Sequence, residues 1–541
     1  MTELLKKYDT LTRKISSFHP FQQSAIETLL AGHNTLVIAP TGKGKSLIYQ
    51  IAGQELPGTT IVVSPLIALM NEQAAYLGDR LAVHLNSNLE FVDQRKLLRN
   101  IANGTIAPKF IFLSPERLQN YFFRSALKKS GLQVSLLVID EAHCISQWGF
   151  DFRPEYTEIP NFLLFLTTLG QHPPLLAMTA TIGKRPKQDI EKEFAIEPQH
   201  VFFDSDLVRR ELNLQFVEIG KEKDKFNVLN SLLNTCTPRK AIVYFYDIPD
   251  CKSFSKKLNE IGITSRNYFS GMNSKEKNDV YTEFKGGKIN VLCATTAFGM
   301  GMNIADIDMI VHHRMPNSIE EYYQQVGRAA RDRTICPSAN CFLLWSEANF
   351  RFKYDEHIPA VIISPQQIEE GFRKLGLTNK AGIPQSLEYS DYIKQDLGRL
   401  RYCFERRGVL KTIGEVNGTP KSIVFFKENK KWEAIVAKMV TGNSFIRAAA
   451  NSNLNLQELI DYIFEKELNG EIKIFPAREK KIFFVSDFNE VPVEIGYSIT
   501  DESITLSDYK KIQVDKLYEL IHSDDAQAFI ESYFLREADR R

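Results

Sequence analysis

The chain has 541 residues, too many for one ordinary hydrophobic core, so we expect about three domains. Its 43% hydrophobic and 25% charged residues are typical of a soluble globular protein, and a formal net charge of +1 does not exclude a nucleic-acid partner, because binding needs only a basic stripe. No apolar stretch has membrane-spanning length, and residues 1–13 lack a secretory core. Seven cysteines without framework spacing fit reduced thiols, so we expect a cytoplasmic protein with no membrane partner.

The first predicted element with chemical meaning is a strand at residues 34–39 that leads into a glycine-rich loop and then a helical pattern. This order predicts a phosphate-binding loop. Gly42 and Gly44 would let backbone N–H groups face the phosphates at the start of the helix. Lys45 would reach the β- and γ-phosphates, and the Ser46 hydroxyl would ligate Mg²⁺. The residues expected to contact the nucleotide here are Thr41, Gly42, Lys43, Gly44, Lys45 and Ser46.

A second signal, which is acidic, lies downstream of the phosphate-binding loop. Further strands are predicted at residues 60–63, 109–113, 135–139 and 174–178, which gives a parallel α/β sheet within a first domain, residues 1–204. The strand at 135–139 ends in Asp140 and Glu141. Carboxylates at the carboxyl edge of such a sheet are where an NTPase holds magnesium and the attacking water, so Asp140 joins Ser46 as a predicted Mg²⁺ ligand.

An aromatic-rich segment follows the acidic pair directly. It contains Trp148, Phe152 and Arg153. Rings of this kind stack on unpaired bases in proteins that bind single strands, so the segment predicts a nucleic-acid sensor. The alternative is that these rings are ordinary core residues.

Short apolar runs separated by helical patterns recur at residues 241–246, 264–268, 290–294, 308–312 and 341–345. They predict a second sheet domain, residues 205–347. Within it, Arg328 and Arg331 stand three residues apart at a helix end, with Gln324 beside them. Such arginines can reach across a cleft to the γ-phosphate and stabilise the charge of the transition state. The alternative is a surface set of ion pairs.

Together these motifs resemble the RecQ family of superfamily-two DNA helicases, over about residues 15–345. The resemblance implies two tandem RecA-like domains, ATP and Mg²⁺ as cofactors, and unwinding of duplex DNA with 3′-to-5′ polarity by movement on a single strand. It also implies that Gln22 reads the adenine edge, that Glu141 deprotonates the attacking water, and that Thr179 and Thr181 couple the nucleotide to domain closure. The segments that carry it, besides the Lys45 loop, are 18–23 (FHPFQQ), 63–70 (VSPLIALM), 114–118 (SPERL), 140–156, 178–181 (MTAT), 296–303 (TAFGMGMN) and 324–331 (QQVGRAAR).

The chain also departs from the family pattern. His19 stands where an arginine is usual, Ile15 where an aromatic ring is usual, Phe150 where a histidine is usual, and Ala330 where a glycine is usual. Residues 244–247 (YFYD) replace the small residues that usually open the second domain. No predicted catalytic group is missing, so these departures indicate a divergent but competent enzyme.

The resemblance fades beyond residue 348. A helix is predicted over 388–407, followed by a hairpin around Asn417 and Gly418, which is compatible with a basic winged-helix accessory domain, residues 348–430. Arg399, Arg406 and Arg407 are the predicted DNA contacts there, although a structural domain with a solvated basic helix is an open alternative. Only Cys403 follows Cys341, so we expect no structural zinc of the four-cysteine kind.

Residues 431–541 predict a mixed α/β region with an acidic helical end. Two functions are compatible with these motifs. One is an ATP-dependent helicase acting on single-stranded and forked DNA. The other is a helicase-like nucleic-acid-binding ATPase that works as a remodelling subunit of a larger assembly, with a protein partner bound through this C-terminal region. Lys45, Asp140, Glu141 and Arg331 favour the enzyme, because a scaffold does not need them.

Overall fold

A computed structural model describes most of the chain. Within the residues it describes, no helix is both long and apolar enough to span a bilayer. The described residues are 2–8, 17–40, 42–78, 80–85, 89–146, 153–204, 208–298, 304–394, 397–416, 420–426, 430–442, 444–475 and 481–537.

The first domain is built on a fully parallel sheet. Its strands are short, and those inside the sheet are buried on both faces, as parallel strands covered by helices are. Neighbouring residues point to opposite layers, so Val37 packs in one core and Ile38 in the other. The strands are β1 (Thr35–Ile38), β2 (Thr59–Val63), β3 (Ala82–Leu85), β4 (Phe110–Leu113), β5 (Val134–Ile139), β6 (Leu175–Thr179) and β7 (Val201–Phe203).

Their order across the sheet is β3-β4-β2-β5-β6-β1-β7. This places the phosphate-loop strand β1 and the acidic strand β5 on either side of β6, with their carboxyl ends at the same edge. The outer strands β3 and β7 were not predicted from the sequence. The surrounding helices are α1 (Thr2–Lys7), α2 (Pro20–Leu30), α3 (Lys45–Glu55), α4 (Ile67–Leu77), α5 (Phe91–Ala102), α6 (Tyr121–Ser130), α7 (Glu158–Thr168) and α8 (Lys184–Glu193).

The second domain repeats the architecture with six parallel strands, so the predicted pair of α/β sheet domains is confirmed. The strands are β8 (Leu212–Glu218), β9 (Ala241–Tyr244), β10 (Ser265–Tyr268), β11 (Val291–Ala294), β12 (Met309–His312) and β13 (Ala339–Trp345). They are ordered β10-β11-β9-β12-β13-β8. The helices are α9 (Lys225–Cys236), α10 (Ile248–Glu260), α11 (Ser274–Lys285), α12 (Ile319–Val326) and α13 (Glu347–Phe352).

The C-terminal region is mixed α/β and includes antiparallel sheets, as the predicted fold class requires. Its elements in chain order are α14 (Pro365–Lys374), β14 (Gln385–Glu388), α15 (Tyr389–Lys394), α16 (Gly398–Arg406), β15 (Lys411–Val416), β16 (Ser422–Phe425), α17 (Lys430–Gly442), α18 (Phe445–Ala450), α19 (Leu456–Leu468), β17 (Ile472–Phe475), β18 (Lys481–Val485), α20 (Val493–Ile521) and α21 (Ala526–Glu537).

The predicted hairpin around Asn417 and Gly418 is wrong. Strand β15 pairs with β18, and β16 pairs with β17, so the strands on either side of the turn signal have different partners. The Asn-Gly signal is local, whereas strand pairing is decided by which apolar faces can be buried together. A domain boundary at residue 430 would cut the three-stranded sheet β14-β18-β15.

From α14 to β18 the elements include one helix, one strand, two helices and two antiparallel strands, an order compatible with the predicted winged helix, which stays a prediction. What separates the last two strands is a long segment, residues 417–480, which we call the 417–480 insertion. It packs on α5 and α6 of the first domain, where Arg95 is paired with the buried Glu467 and lies 3.8 Å from the centre of the Phe122 ring. The insertion is thereby joined to the first domain.

The last two helices pack on the second domain instead. Leu517 of α20 and Ile530 of α21 are fully buried in its hydrophobic core. The hydroxyl of Tyr533 donates to Glu320 Oε1 at 2.7 Å and lies 2.9 Å from Gln513 Oε1. The C-terminal region therefore contacts both sheet domains.

A third contact joins α16 to the first domain. Arg401 Nη1 lies 2.8 Å from Glu158 Oε1, and both side chains are almost fully buried. A Cβ atom on Gly398 would lie 2.8 Å from Cγ of Pro154, so the start of α16 is seated directly on that residue. Burial raises the pKa of Glu158 to about 7, and the Arg401 charge opposes this. The pair therefore holds α16 beside the end of the aromatic-rich segment.

Candidate functional site

The predicted phosphate loop lies between β1 and α3. Gly42 and Gly44 have φ angles of 90° and 73°, in the left-handed region that glycine adopts without strain. Gly44 is the N-cap of α3, so the first N–H groups of the helix face the loop with no partner within the helix. The loop thus has the local geometry of an anion site. Thr41 lies outside the described residues.

Gln22 supports this loop from behind. Its side chain is 2% exposed, and its Nε2 donates to the carbonyl oxygens of Lys43 and Gly44 at 3.1 Å each. Its Oε1 accepts from the backbone N–H of His19 at 2.9 Å. Both ends of the amide are used within the protein, so the structure gives Gln22 a role in shaping the loop. Its contact with adenine stays a prediction.

We expect Gly44→Ala to weaken ATP binding by about tenfold or more, because strain of 1–3 kcal/mol falls directly on the loop. The added Cβ would lie 2.7 Å from Gln22 Nε2, and the alanine would also have to keep the positive φ of 73°. Gly104→Ala is the matched control, since its φ is 68° and a Cβ there meets nothing within 4 Å. Binding of a fluorescent ATP analogue separates the two. Equal affinities for both variants would contradict the role of Gln22 and Gly44.

Lys45 and the two carboxylates are gathered in one partly buried place. Lys45 Nζ donates to the carbonyl of Ala39 at 2.6 Å, and burial lowers its pKa while Glu141 and Asp140 oppose this. Burial, together with the neighbouring Glu141, raises the pKa of Asp140 to about 6, and Lys45 lowers it. The Asp140 Oδ2 accepts from Ser64 Oγ at 3.0 Å. The fold therefore brings Lys45, Asp140 and Glu141 together as the sequence predicts.

His143 connects the acidic strand to the Thr179 segment. Its Nδ1 lies 3.4 Å from Glu141 Oε2 and 3.0 Å from Thr179 Oγ1. The Thr179 hydroxyl in turn donates to the carbonyl of Thr181 at 3.1 Å. His143 was not predicted as a site residue, although its place two residues after Glu141 was a signal. It physically joins the predicted base to the segment predicted to sense closure.

The arginines of the second domain approach this site. Arg328 is 5% exposed, and burial, together with the charges of Arg328 and Arg209, lowers the pKa of Arg331 to about 9, with an opposing contribution from Glu141. The charge of Arg331 also acts on Lys45. Arg331 is therefore within electrostatic range of the first domain's catalytic groups. Gln324 is buried on α12, close to the same segment.

Arg209 positions the arginine segment and was missed from the sequence. Its guanidinium donates to the carbonyl oxygens of Gly327 and Ala330 at 2.6 Å each. Glu211 pairs with it at 2.8 Å. Ala330 has a φ of 48°, a strained angle for alanine that these bonds help to hold. A single arginine before a strand carries no sequence signal for such a role.

Comparisons with known proteins show the family to which this architecture belongs. The DEAD/DEAH box helicase family model matches residues 19–190, and the helicase conserved C-terminal domain model matches residues 224–333. The probable ATP-dependent DNA helicase RecS of Bacillus subtilis is 34% identical over 374 residues, which cover 68% of this chain and 71% of that protein. The chain belongs to the RecQ family of DNA helicases.

Other RecQ-family relatives match over a smaller share of their length. The ATP-dependent DNA helicase RecQ of Pasteurella multocida is 36% identical over 321 residues, 58% of this chain and 48% of that protein. The chain spans about half the length or less of the first curated relatives it matches. A structure of the Mycobacterium smegmatis helicase Lhr bound to single-stranded DNA and AMP-PNP shares the fold, with a TM-score of 0.52, 16% identity and coverage of 82% of this chain and 63% of that one.

The aromatic-rich segment of this RecQ-family chain is described only at its ends. Trp148 and Phe152 lie outside the described residues, and Arg153 is half-buried. Ser146 Oγ donates to Asp189 Oδ2 at 2.6 Å on one side of the segment. On the other side, the Tyr156 hydroxyl donates to the carbonyl of Asp140 at 2.7 Å. The segment is thus tied at one end to the predicted magnesium ligand.

The three basic residues predicted to contact DNA have intramolecular partners. Arg399 donates to the carbonyl of Val361. Arg406 lies 3.8 Å from Glu193 of the first domain, and Arg407 is paired with Glu502. Of the helix predicted over 388–407, the structure describes α15 up to Lys394 and α16 from Gly398, while residues 395 and 396 lie outside the described residues. The DNA contacts of Arg399, Arg406 and Arg407 stay a prediction. Of the Arg406 side chain, 44% is exposed.

No group of three or more histidine, cysteine or acidic side chains suited to a metal ion occurs in the part of this RecQ-family chain that the structure describes. The expectation that it holds no structural zinc stays a prediction. Cys336, Cys341 and Cys403 are each buried, and Cys336 Sγ lies 3.2 Å from the carbonyl of Ser338.

Proposed function

We propose that this protein is an ATP-dependent DNA helicase that moves on single-stranded DNA and unwinds duplex DNA with 3′-to-5′ polarity. The observation that carries the proposal is the composite site, in which Lys45, Asp140 and Glu141 lie together at the carboxyl edge of the first sheet and Arg331 of the second domain is close enough to contribute to the lowered pKa of Lys45. Two domains that share one nucleotide site can change their separation with each hydrolysis cycle. Relatives of at least 34% identity are DNA helicases by name.

The residues at the nucleotide site fit a Mg²⁺ ion. Hydroxyl and carboxylate oxygens, here from Ser46 and Asp140, are the ligands Mg²⁺ prefers. Burial and the neighbouring Glu141 raise the pKa of Asp140, and a divalent cation relieves the repulsion between the two carboxylates. When bound with ATP, the ion neutralises charge on the phosphate oxygens. Ser46 and Asp140 would hold it.

The remaining chemistry belongs to the chain itself. Lys45 and the N–H groups at the start of α3 bind the phosphates, and Arg331 stabilises the charge that develops on the γ-phosphoryl group. Glu141 accepts a proton from the attacking water. His143 holds Glu141 beside Thr179. Loss of the γ-phosphate would therefore alter the hydrogen bond between Thr179 and Thr181 through Glu141 and His143. This contact lies near the cleft that Thr181, Ser318 and Tyr509 line.

An ATPase assay tests the proposal, with the protein alone and with single-stranded DNA, duplex DNA or RNA. Hydrolysis should rise many-fold with single-stranded DNA and much less with duplex DNA or RNA. Partial duplexes with a 3′ or a 5′ single-stranded tail then test polarity, and we expect only the 3′-tailed substrate to be unwound. A rate indifferent to every polynucleotide would contradict the helicase proposal.

A second candidate is a remodelling subunit that uses its ATPase within a larger assembly. Exposed apolar residues along α20 favour it, because Val493, Tyr497 and Ile504 are 70%, 60% and 43% exposed on one side of the helix. In that case unwinding by the isolated protein would be weak, although single-stranded DNA would still stimulate hydrolysis. Measuring both activities on one preparation distinguishes the two candidates.

A further inference from the structure

Helix α21, near the end of the chain, contacts the backbone that leads to Arg209. Its Gln527 Nε2 donates to the carbonyl of Leu212 at 2.8 Å, and the Leu212 N–H donates to the carbonyl of Arg209 at 3.1 Å. The guanidinium of Arg209 in turn holds two carbonyl oxygens of the arginine segment, which we define as residues 327–331. A helix 200 residues further along the chain is thus seated beside the residue that positions the catalytic arginines.

An aromatic ring of α21 reaches the same arginine through α12. Phe534 is 5% exposed, and the centre of its ring lies 5.4 Å from the centre of the Tyr323 ring. The Tyr323 hydroxyl accepts from the backbone N–H of Arg209 at 2.6 Å. Because Arg209 donates to the arginine segment, three consecutive contacts lead from α21 to the backbone of that segment.

A second route begins at the neighbouring residue of α21. The Tyr533 hydroxyl bridges Glu320 Oε1, at 2.7 Å, and Gln513 Oε1 of α20, at 2.9 Å. All three side chains belong to residues that are more than nine-tenths buried. Glu320 lies in the first turn of α12, and Gln324 follows four residues later on the same face of the helix. The hydrogen bond from Tyr533 therefore fixes the start of the helix that leads into the arginine segment.

The cleft between the two sheet domains lies beside this hydrogen bond. Thr181 and Gly183 of the first domain, Ser318 of the second and Gln513 of α20 all line the cleft. Ser318 is the N-cap of α12, and its hydroxyl oxygen accepts from the backbone N–H of Glu321 at 3.2 Å. A movement of the first domain at Thr181 therefore meets the start of α12 and α20 together.

We propose that Tyr533 and Phe534 are positioning residues for ATP hydrolysis, which hold the arginine segment in place as the cleft closes. Both act through other residues, Tyr533 through Glu320 and Phe534 through Tyr323. Such support matters because a displacement of about 1 Å at a catalytic group can lower the rate by as much as 10²-fold. The inference rests on the proposed function, in which Arg331 stabilises the charge that develops on the γ-phosphoryl group.

The test compares kcat and the KM for ATP among variants of the whole chain at saturating single-stranded DNA. Tyr533→Phe removes only the hydroxyl, and Phe534→Ala removes the ring. Each should lower kcat by about tenfold or more and leave the KM for ATP near its wild-type value, because the lost contacts support a group that acts in the transition state. Tyr354→Phe is the matched control, since it removes a hydroxyl that donates to Asp515 of α20 from another part of the second domain. It should keep the wild-type kcat.

A double-mutant cycle separates positioning from a general loss of stability. If Tyr533 acts through Arg331, Tyr533→Phe should change kcat little in protein that already carries Arg331→Ala. An equal proportional loss of kcat in both backgrounds would overturn the proposal. Thermal unfolding shows which variants are folded at the assay temperature, and Tyr533→Phe decides the matter if Phe534→Ala is unfolded.

The outcomes also distinguish this proposal from the proposed function. Wild-type kcat in Arg331→Ala would overturn the role of Arg331 itself. A slow Arg331→Ala enzyme, together with wild-type kcat in folded Tyr533→Phe and Phe534→Ala, would overturn only the positioning role of α21. A loss of kcat in Tyr354→Phe as large as that in Tyr533→Phe would assign the effect to looser packing of α20, and the positioning role would again be wrong.

Discussion

Replacing Arg331 by alanine is expected to lower kcat for DNA-stimulated ATP hydrolysis by about 10³–10⁵-fold, the effect of removing an arginine finger. Arg331 is partly buried, and its charge contributes to the lowered pKa of Lys45 across the cleft. Its contribution arises as charge develops on the γ-phosphoryl group, so ATP affinity should fall much less than kcat. Single-turnover hydrolysis and equilibrium binding of ATP measure the two separately.

Two further variants make the Arg331 result specific. Arg331→Lys keeps the charge but loses the planar fork, and we expect a large loss of kcat to persist. Arg266→Ala is the control, because Arg266 is about half exposed and pairs with Glu283 on the same domain. It should hydrolyse ATP at the wild-type rate. An Arg331→Ala enzyme with wild-type kcat would show that the arginine segment has no part in the chemistry.

Replacing Glu141 by glutamine is expected to lower kcat by about 10²–10⁴-fold while ATP still binds. Glutamine has the same size and can keep the contact with His143, but it cannot accept the proton of the attacking water. Lys45→Ala is the contrasting variant, since it removes a phosphate contact and should abolish binding as well as turnover. Nucleotide binding and product formation are measured on the same preparations. Full turnover by Glu141→Gln would mean that another group is the base.

The nucleotide site was the most predictable part of the molecule. The Gly42–Ser46 loop and the Asp140–Glu141 pair are local signals, because each follows directly from a strand that sets its position. Arg209, Gln22 and His143 act through contacts with residues far away in sequence or through backbone carbonyl oxygens, and these leave no local pattern. Roles for Gln22 toward adenine and for the aromatic-rich segment toward DNA stay predictions.

The C-terminal region was less predictable for a similar reason. Strand β15 pairs with β18 across the 417–480 insertion, and Arg401 of α16 pairs with Glu158 of the first domain. Neither contact can be inferred from composition or periodicity, because both join segments separated by many residues. The basic residues that suggested a free DNA-binding face are instead paired in part within the protein, as Arg407 with Glu502 shows.

The contacts of the C-terminal region have a mechanical consequence. The 417–480 insertion and α16 rest on the first domain, while α20 and α21 rest on the second, and all four belong to one continuous stretch of chain. A rotation of one domain against the other must therefore bend this stretch or shift one of its contacts with the two domains. We therefore expect the stiffness of this region to limit how far the two domains can rotate against each other.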